Sequence, residues 1–256
     1  MASIPRQVTC GLVLRETATK ESDKILTVLT AEQGKISVIA RGARRKNSRT
    51  AAAAQFLAYS EMTLYQRGNW YMLDEASSRE LFSGLRQDVE LLALGAYLAE
   101  LTEAVTAEGN ECGDILSLLL NALYALSYLK KPPLLVKAAF EWRLMSLCGF
   151  EPLADGCSFC GREEPEGPML NVNEGEVHCK ACKKGDGRSL SMPLCPGSLA
   201  ALRYVLRCPA EKLYAFTLEK DSLKRLAQAA EAFCAVQLER GFSTLNFYKS
   251  LCLDAE

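Results

Sequence analysis

Residues 157–182, CSFCGREEPEGPMLNVNEGEVHCKAC, carry two C-x2-C pairs separated by 18 residues. This is the spacing with which two knuckles close on one tetrahedral metal ion. The segment between the pairs is rich in Pro, Gly and Glu, and it has too few large apolar side chains to order itself. A metal ion would supply the missing stability. The predicted ligands are Cys157, Cys160, Cys179 and Cys182.

The number of cysteines also indicates the kind of site. A catalytic zinc ion keeps a coordination position open for water, whereas four thiolates close the site, so we predict one structural Zn²⁺. Gly161 can adopt the positive φ that such a turn needs, and nearby ammonium groups would offset the thiolate charge: Lys180, Lys183 and Lys184. His178, the one histidine, is either a substitute ligand or a bystander. Two disulfides are the alternative, and they would require an oxidising compartment.

Composition indicates an ordinary globular protein of one to three domains, with 256 residues, 49% hydrophobic and 24% charged. The net charge of −1 gives no global sign of nucleic-acid binding. However, residues 1–80 carry 12 Lys/Arg against 8 Asp/Glu, whereas the remainder carries 18 against 23. The N-terminal part is therefore the basic one.

Cysteine usage predicts a cytoplasmic location. The seven cysteines outside the two pairs stand in apolar contexts, as is usual in a reducing compartment. We find no signal-peptide pattern. The longest uncharged run, 115–129, is too short to span a bilayer and predicts a buried helix, so we expect no membrane partner.

Residues 1–80 predict a small β-barrel. Glu32-Gln33-Gly34 and Arg67-Gly68-Asn69 mark turns between β-branched runs. Five short strands in this length favour an OB-fold, with an SH3-like barrel as the alternative. We expect most aromatic side chains of the later strands to lie in the barrel core: Phe56, Tyr59, Tyr65, Trp70 and Tyr71. The predicted strands are 7–15, 24–30, 35–40, 56–65 and 70–73.

Between the third and fourth strands lies RGARRKNSR, residues 41–49, with five basic residues and no acid. Its only apolar content is Ala43, so the stretch is not expected to contribute to the core. It is either a solvated, mobile loop or a loop that contacts phosphates at the mouth of the barrel. Its cations, with one from the preceding strand, are the candidate nucleic-acid ligands: Lys35, Arg41, Arg44, Arg45, Lys46 and Arg49.

The rest of the chain predicts helices around the cysteine segment, which gives an α+β multidomain fold. Helical spacing runs through 89–108, 114–129, 134–147, 196–206 and 219–240, with Gly149 as a C-terminal cap and Pro196 in a first turn. The predicted organisation is an OB-fold domain at 1–80, an α-helical domain formed by 81–152 with 193–256, and an inserted metal-binding segment at 153–192.

Enzyme motifs are missing from the sequence. There is no P-loop, no G-x-G-x-x-G after a strand and no G-x-S-x-G. With one histidine beside a predicted metal ligand, Ser-His or Cys-His catalysis lacks a base. We therefore predict a binding protein and no enzymatic activity.

Several stretches together resemble one family. They are Ala40-Arg-Gly-Ala-Arg44, Phe140-Glu-Trp-Arg-Leu-Met145, Leu147-Cys-Gly-Phe-Glu-Pro152 and Cys157-x-x-Cys160-Gly161. In this order the chain resembles, over essentially its whole length, the RecO family of bacterial DNA repair proteins. The resemblance implies a nucleoid-associated recombination mediator. Such a protein binds single- and double-stranded DNA, anneals complementary strands and helps to load RecA, with RecR, on DNA coated by single-stranded DNA-binding protein.

The resemblance also implies site residues. Arg41, Arg44 and Arg45 fall in the loop expected to contact DNA; Lys46 and Arg49 are added on charge. The C-terminal tail of single-stranded DNA-binding protein is expected on the helical domain, near Lys130, Lys131, Lys137 and Arg143. Lys130 and Lys131 could instead favour a helix C-terminus, and Arg143 could form an internal ion pair. The alternative function is a zinc-ribbon transcription or translation factor that binds RNA or a polymerase.

Overall fold

A computed structural model describes residues 5–182 and 190–253 of the protein. The chain forms two compact units. The first contains Met1–Tyr128 and Ser243–Glu256, and the second contains Leu129–Phe242. The limits of the functional domains given above stay predictions.

The first unit contains a closed five-stranded barrel with the strand order β1-β2-β3-β5-β4. Strands β1 and β4 pair antiparallel and close the barrel, whereas β3 and β5 pair in parallel through Val38–Tyr71 and Ile39–Met72. This architecture confirms the predicted OB-fold barrel. The strands are β1 (Arg6–Thr19), β2 (Asp23–Thr30), β3 (Gly34–Ala40), β4 (Tyr59–Arg67) and β5 (Trp70–Glu80).

The barrel core is aliphatic, so our expectation that most aromatic side chains of the later strands lie in it was wrong, although Tyr71 packs against it. Trp70 is exposed, and Phe56, Tyr59, Tyr65 and Tyr71 are only partly buried. The inward positions belong mostly to β-branched and other aliphatic residues, which pack well on a pleated surface. The core residues include Val13, Leu26, Val28, Ile36, Val38, Met62 and Leu64.

Strand β5 is longer than predicted. Its apolar pattern stops near Leu73, but backbone pairing with β4 continues to the Tyr59–Glu80 pair. Apart from Ala76, the added residues are polar, and most of them are exposed. Backbone hydrogen bonding to β4 therefore extends β5 beyond the residues whose side-chain pattern indicates a strand.

Six α-helices lie in the described part of the chain. Asp88 caps the first one, since its carboxylate accepts hydrogen bonds from the backbone N–H groups of Glu90 (2.9 Å) and Leu91 (3.2 Å). Gly149 has φ +86°, which confirms the predicted C-terminal cap of the third helix. The helices are α1 (Val89–Val105), α2 (Gly113–Ser127), α3 (Pro133–Leu147), α4 (Pro196–Arg207), α5 (Lys220–Gln237) and α6 (Ser243–Leu253).

The last helix, α6, lies beyond residue 240, where the helical spacing found in the sequence ends, and it was not predicted. Helix α6 packs on α1 in the first unit, and it buries Leu245 and Tyr248. Its first turn is held by Glu100 of α1, whose carboxylate accepts a hydrogen bond from the Thr244 backbone N–H at 3.2 Å. This helix depends on tertiary contacts that a short sequence window does not reveal.

The second unit packs α3, α4 and α5 with a small sheet of order β7-β6-β8. Its strands are β6 (Pro168–Asn171), β7 (Glu176–Cys179) and β8 (Ser191–Pro193). Trp142 is fully buried: its ring centroid lies 5.2 Å from that of Phe233, and its indole N–H donates to the Leu226 carbonyl at 3.3 Å. Among the described residues, no helix has both the length and the apolar character needed to cross a bilayer.

Candidate metal centre and nucleic-acid interface

The four predicted metal ligands meet in space. The sulfur atoms of Cys157, Cys160, Cys179 and Cys182 all lie within 4.8 Å of one another, and the Sγ atoms of Cys160 and Cys179 are 3.9 Å apart. Tetrahedral coordination with metal–sulfur bonds of about 2.3 Å requires sulfur–sulfur separations of about 3.8 Å. The cluster therefore has the size that a tetrahedral metal ion needs, and it could bind one.

Backbone hydrogen bonds shape both knuckles. In the first, the Gly161 N–H donates to the Cys157 carbonyl at 2.9 Å, and Gly161 has the predicted positive φ of +71°. The Ser158 N–H donates to the Val177 carbonyl at 3.0 Å, which ties this knuckle to β7. The second knuckle begins where β7 ends, at Cys179. A turn and a strand end thus bring together cysteines that are far apart in sequence.

The thiols differ in acidity because their surroundings differ. Burial opposes the charged form of Cys157, but backbone N–H groups, foremost that of Cys179, outweigh it and lower the pKa of Cys157 to about 6. The neighbouring sulfurs, foremost Cys160, raise the pKa of Cys182 to about 12. Four thiolates at this spacing repel one another, and a divalent cation removes that repulsion.

His178 lies beside the cluster with both ring nitrogens engaged elsewhere. Its Nδ1 is 2.9 Å from the Cys179 carbonyl oxygen, which can only accept, so Nδ1 carries the proton. Its Nε2 is 3.2 Å from the Ser191 hydroxyl. The ring also packs edge-on against Phe159. These contacts support the bystander interpretation. Of the three lysines near the second pair, Lys180 is exposed, and Lys183 and Lys184 lie outside the described residues.

The basic stretch at 41–49, called the basic loop below, leaves the barrel at the end of β3. All five of its cationic side chains are exposed: Arg41, Arg44, Arg45, Lys46 and Arg49. Within the described part of the first unit, ion pairs form between other residues, among them Arg6–Asp74, Arg15–Glu103, Lys24–Glu16 and Arg79–Glu61. The five charges are therefore available to an external polyanion.

The backbone of the basic loop is ordered by successive turns. The Arg45 N–H donates to the Gly42 carbonyl at 3.0 Å, and the Ser48 N–H donates to the Arg45 carbonyl at 3.0 Å. Ala43 is only 2% exposed and belongs to the barrel core, so our expectation that the stretch makes no core contribution was wrong. One small apolar residue anchors the loop while the flanking cations face solvent.

Lys35 lies apart from the basic loop. It stands near the start of β3, six residues before Arg41, which is about 20 Å along an extended strand. Its ammonium donates to the Glu103 carbonyl at 2.7 Å and is partly buried. The structure thus gives Lys35 an internal partner at the other end of the strand.

Lys20 is a cation that our sequence analysis did not single out. It is exposed in the β1–β2 turn, two residues before Ser22, whose carbonyl accepts the Arg44 backbone N–H at 3.0 Å. The turn and the basic loop therefore meet at the same end of the barrel. A single lysine in a predicted turn has no sequence signature; only the strand pairing brings it beside the loop.

The four candidate partner-binding residues fall into two groups. Lys137 is 2% exposed, and its ammonium lies 2.8 Å from a Glu141 oxygen and 3.4 Å from a Glu231 oxygen. Arg143 donates to the Val205 carbonyl at 2.9 Å and also to the Cys208 carbonyl, so its guanidinium caps the end of α4. Both charges are engaged inside the second unit.

Lys130 and Lys131 precede α3 and lie nearer the surface. Lys130 is exposed and Lys131 is half-buried. Lys130 has φ +48°, an unusual value for a residue other than glycine. Of the four, these two are the cations that a partner could reach.

Two family models match the chain. The model described as "Recombination protein O N terminal" matches residues 6–82, which contain the barrel. The model described as "Recombination protein O C terminal" matches residues 86–246, which contain the helices and the four-cysteine cluster.

Full-length relatives show the same likeness. A protein named "DNA repair protein RecO" from Acetivibrio thermocellus is 30% identical over 243 residues, which cover 95% of this chain and 96% of the relative. A relative of the same name from Alkaliphilus metalliredigens is 30% identical over 242 residues, which cover 94% of this chain and 98% of the relative. Another, from Caldicellulosiruptor bescii, is 30% identical over 241 residues, which cover 94% of this chain and 97% of the relative. The similarity thus extends across both compact units.

Proposed function

Since this chain belongs to the RecO family of DNA repair proteins, we propose that it acts in repair as a recombination mediator. It binds single- and double-stranded DNA and anneals complementary strands. Together with RecR, it helps to load RecA on DNA coated by single-stranded DNA-binding protein. It does so without catalysing a reaction of its own.

The observation that carries this proposal is the basic loop. Five exposed cations stand on a stretch of nine residues whose backbone is fixed by turns and whose Ala43 is buried in a closed barrel. Cations on a pre-ordered backbone neutralise phosphates at a lower entropic cost than mobile ones. Phosphates occur in single strands and duplexes alike, which suits a protein that has to hold both forms during annealing.

The test is a triple alanine variant of Arg44, Arg45 and Lys46. Loss of three phosphate contacts should reduce the slope of log Kobs against log[salt] by about 2.7 for duplex DNA and about 2.1 for single strands. At about 0.1 M salt, counterion release alone is worth roughly eightfold per duplex contact, so binding should weaken by more than a hundredfold.

The matched control removes three exposed cations from α5 instead: Lys220, Lys224 and Arg225. This variant has the same net charge as the first one, and it should keep most of the affinity and the salt slope. Equal effects of the two variants would show that overall charge, and not the basic loop, governs DNA binding. Strand annealing measured on both proteins completes the test.

The absence of catalysis is part of the same proposal. The one histidine has both ring nitrogens in hydrogen bonds, to the Cys179 carbonyl and the Ser191 hydroxyl. No base from this residue is therefore available for a Ser-His or Cys-His mechanism. DNA should be recovered unmodified after binding and annealing.

We propose that the four-cysteine cluster holds one zinc ion with a structural role. Four sulfur ligands at this separation suit zinc, and they leave no open position for a substrate. Bound zinc would supply a cross-link between the two knuckles. The backbone bonds of Gly161 and Ser158 shape the first knuckle and tie it to β7.

The proposed protein partners are RecR and the C-terminal tail of single-stranded DNA-binding protein. Within the second unit, Lys130 and Lys131 are the candidate cations for the tail, whereas Lys137 and Arg143 act inside the fold. A mediator of this kind works in the bacterial cytoplasm, at the nucleoid.

A further inference from the structure

An acidic residue, Asp23, lies at the base of the basic loop. Its Oδ1 atom accepts a hydrogen bond from the Gly42 backbone N–H at 2.8 Å. One residue earlier, the Ser22 carbonyl accepts the Arg44 backbone N–H at 3.0 Å. Two hydrogen bonds therefore join the start of β2 to the first half of the loop.

The bond to Asp23 is made where the loop backbone needs a fixed geometry. Gly42 has φ +64°, a left-handed conformation that side chains other than glycine rarely adopt. The Arg45 N–H closes a turn on the Gly42 carbonyl, and the Arg45 side chain lies against Gly42. The next residue, Ala43, is buried in the barrel core. Asp23 thus holds the Arg41–Gly42 peptide at the start of the basic loop.

We infer that Asp23 is a positioning residue for DNA binding: it holds the basic loop in the conformation that presents its cations to phosphates. This inference rests on the proposed function. Electrostatics alone would predict the opposite effect, because the Asp23 carboxylate beside a polyanion-binding surface repels DNA. The gain from holding the loop must exceed that repulsion. The two effects predict changes of opposite sign, so they can be separated.

Three substitutions separate the effect of loop positioning from the effect of charge. Asp23→Asn removes the charge but keeps a side-chain oxygen that can accept the Gly42 N–H. Asp23→Ala removes both the charge and the acceptor. Glu21→Ala is the matched control. Glu21 is exposed in the same turn, and its side chain forms no hydrogen bond or ion pair with the described residues. It therefore reports the effect of charge alone.

The measurements are DNA affinity as a function of salt and hydrogen exchange of the loop amides, with thermal unfolding as a check on folding. We expect Asp23→Asn and Glu21→Ala to bind DNA as tightly as the natural protein, or up to about threefold more tightly. We expect Asp23→Ala to bind about four- to fiftyfold more weakly, since losing a hydrogen bond to a charged group costs roughly ten- to 150-fold and removing the repulsive charge recovers up to about threefold. Only Asp23→Ala should speed exchange at Gly42.

Each other outcome has its own meaning. If Asp23→Ala binds as tightly as Glu21→Ala and its Gly42 amide stays protected, Asp23 does not position the loop and the inference is wrong. If Asp23→Ala frees the Gly42 amide but leaves DNA affinity unchanged, the loop is held by Asp23 yet does not carry DNA, and the proposed function of the loop fails. If Asp23→Asn binds as weakly as Asp23→Ala, the charge itself is required and the positioning role through a neutral acceptor is refuted.

Discussion

Replacing Lys137 should destabilise the second unit strongly, because this residue neutralises a carboxylate that has no access to water. Lys137 is 2% exposed, and its ammonium lies 2.8 Å from an oxygen of Glu141, which is fully buried. A second carboxylate, from Glu231, lies 3.4 Å away and is 30% exposed. The variant to make is Lys137→Met, which preserves most of the side-chain volume and removes the charge.

The expected cost follows from what remains after the substitution. Removing one partner of a buried ion pair typically costs about 3–5 kcal/mol, because the other charge stays desolvated. For a unit of this size, about 4 °C of Tm accompanies each kcal/mol, so Tm of the second unit should fall by about 12–20 °C. The double variant Lys137→Met, Glu141→Leu removes both charges and should recover most of the loss.

The stabilisation that Lys137 contributes depends on pH, and the sign of this dependence follows from its pKa. Burial lowers the pKa of Lys137, but the carboxylates of Glu141 and Glu231 outweigh burial and raise it above the ordinary value. A raised lysine pKa means that the stabilisation is fully present below the unfolded value of about 10.4 and is lost as pH rises through the folded pKa. The natural protein should therefore lose stability above about pH 10.4, and Lys137→Met should lack this alkaline loss.

Tryptophan fluorescence provides the assay. The chain has two tryptophans, exposed Trp70 in the first unit and buried Trp142 in the second. A Trp70→Phe background leaves Trp142 as the reporter of the second unit. A loss below about 1 kcal/mol for Lys137→Met would place it among ordinary surface ion pairs and refute the argument. The same result would return Lys137 to the candidates for partner binding.

Three further predictions concern other parts of the molecule. Purified protein should contain about one zinc per chain by elemental analysis. Cys157→Ser should lower that zinc content. It should change DNA affinity by no more than about twofold, because the basic loop belongs to the barrel domain and not to the cysteine segment. Gly34→Ala should cost more than about 2 kcal/mol in unfolding experiments, because its φ is +65° and an added Cβ would lie 2.2 Å from the Ala107 carbonyl oxygen. Gly68→Ala, with φ +62° but open space around it, is the control and should cost only about 1 kcal/mol. Alanine at Lys130 and Lys131 should weaken binding of an acidic C-terminal tail peptide in titrations, whereas alanine at Lys220 and Lys224 should not; equal effects would reject the assignment.

The parts of the fold that local patterns specify were predictable. Alternating apolar residues and glycine turns located the strands of the barrel, and Gly34 and Gly68 adopt the positive φ that their turns require. The four-cysteine cluster was also predictable, because its spacing reflects a geometric requirement of tetrahedral coordination.

Features that depend on distant contacts were not predictable. The polar half of β5 is a strand because β4 pairs with it, and α6 is a helix because α1 and Glu100 support it. Charge alone also could not separate Lys130, which is exposed, from Lys137 and Arg143, whose cationic groups are engaged with interior carboxylates and carbonyls. Burial decides the role of a lysine, and burial is a property of the whole fold.

The return of the chain to its first unit has a consequence for biosynthesis. The barrel and α1 are synthesised before Leu129–Phe242, whereas α6, which packs on α1, is synthesised after that segment. At about 5–20 residues per second, roughly 7–28 seconds of synthesis separate the end of α1 from the start of its covering helix. A chain cut before Ser243 would keep every cation of the basic loop, but the surface of α1 that α6 covers would be bare. The first unit is therefore complete only after the whole second unit has been synthesised.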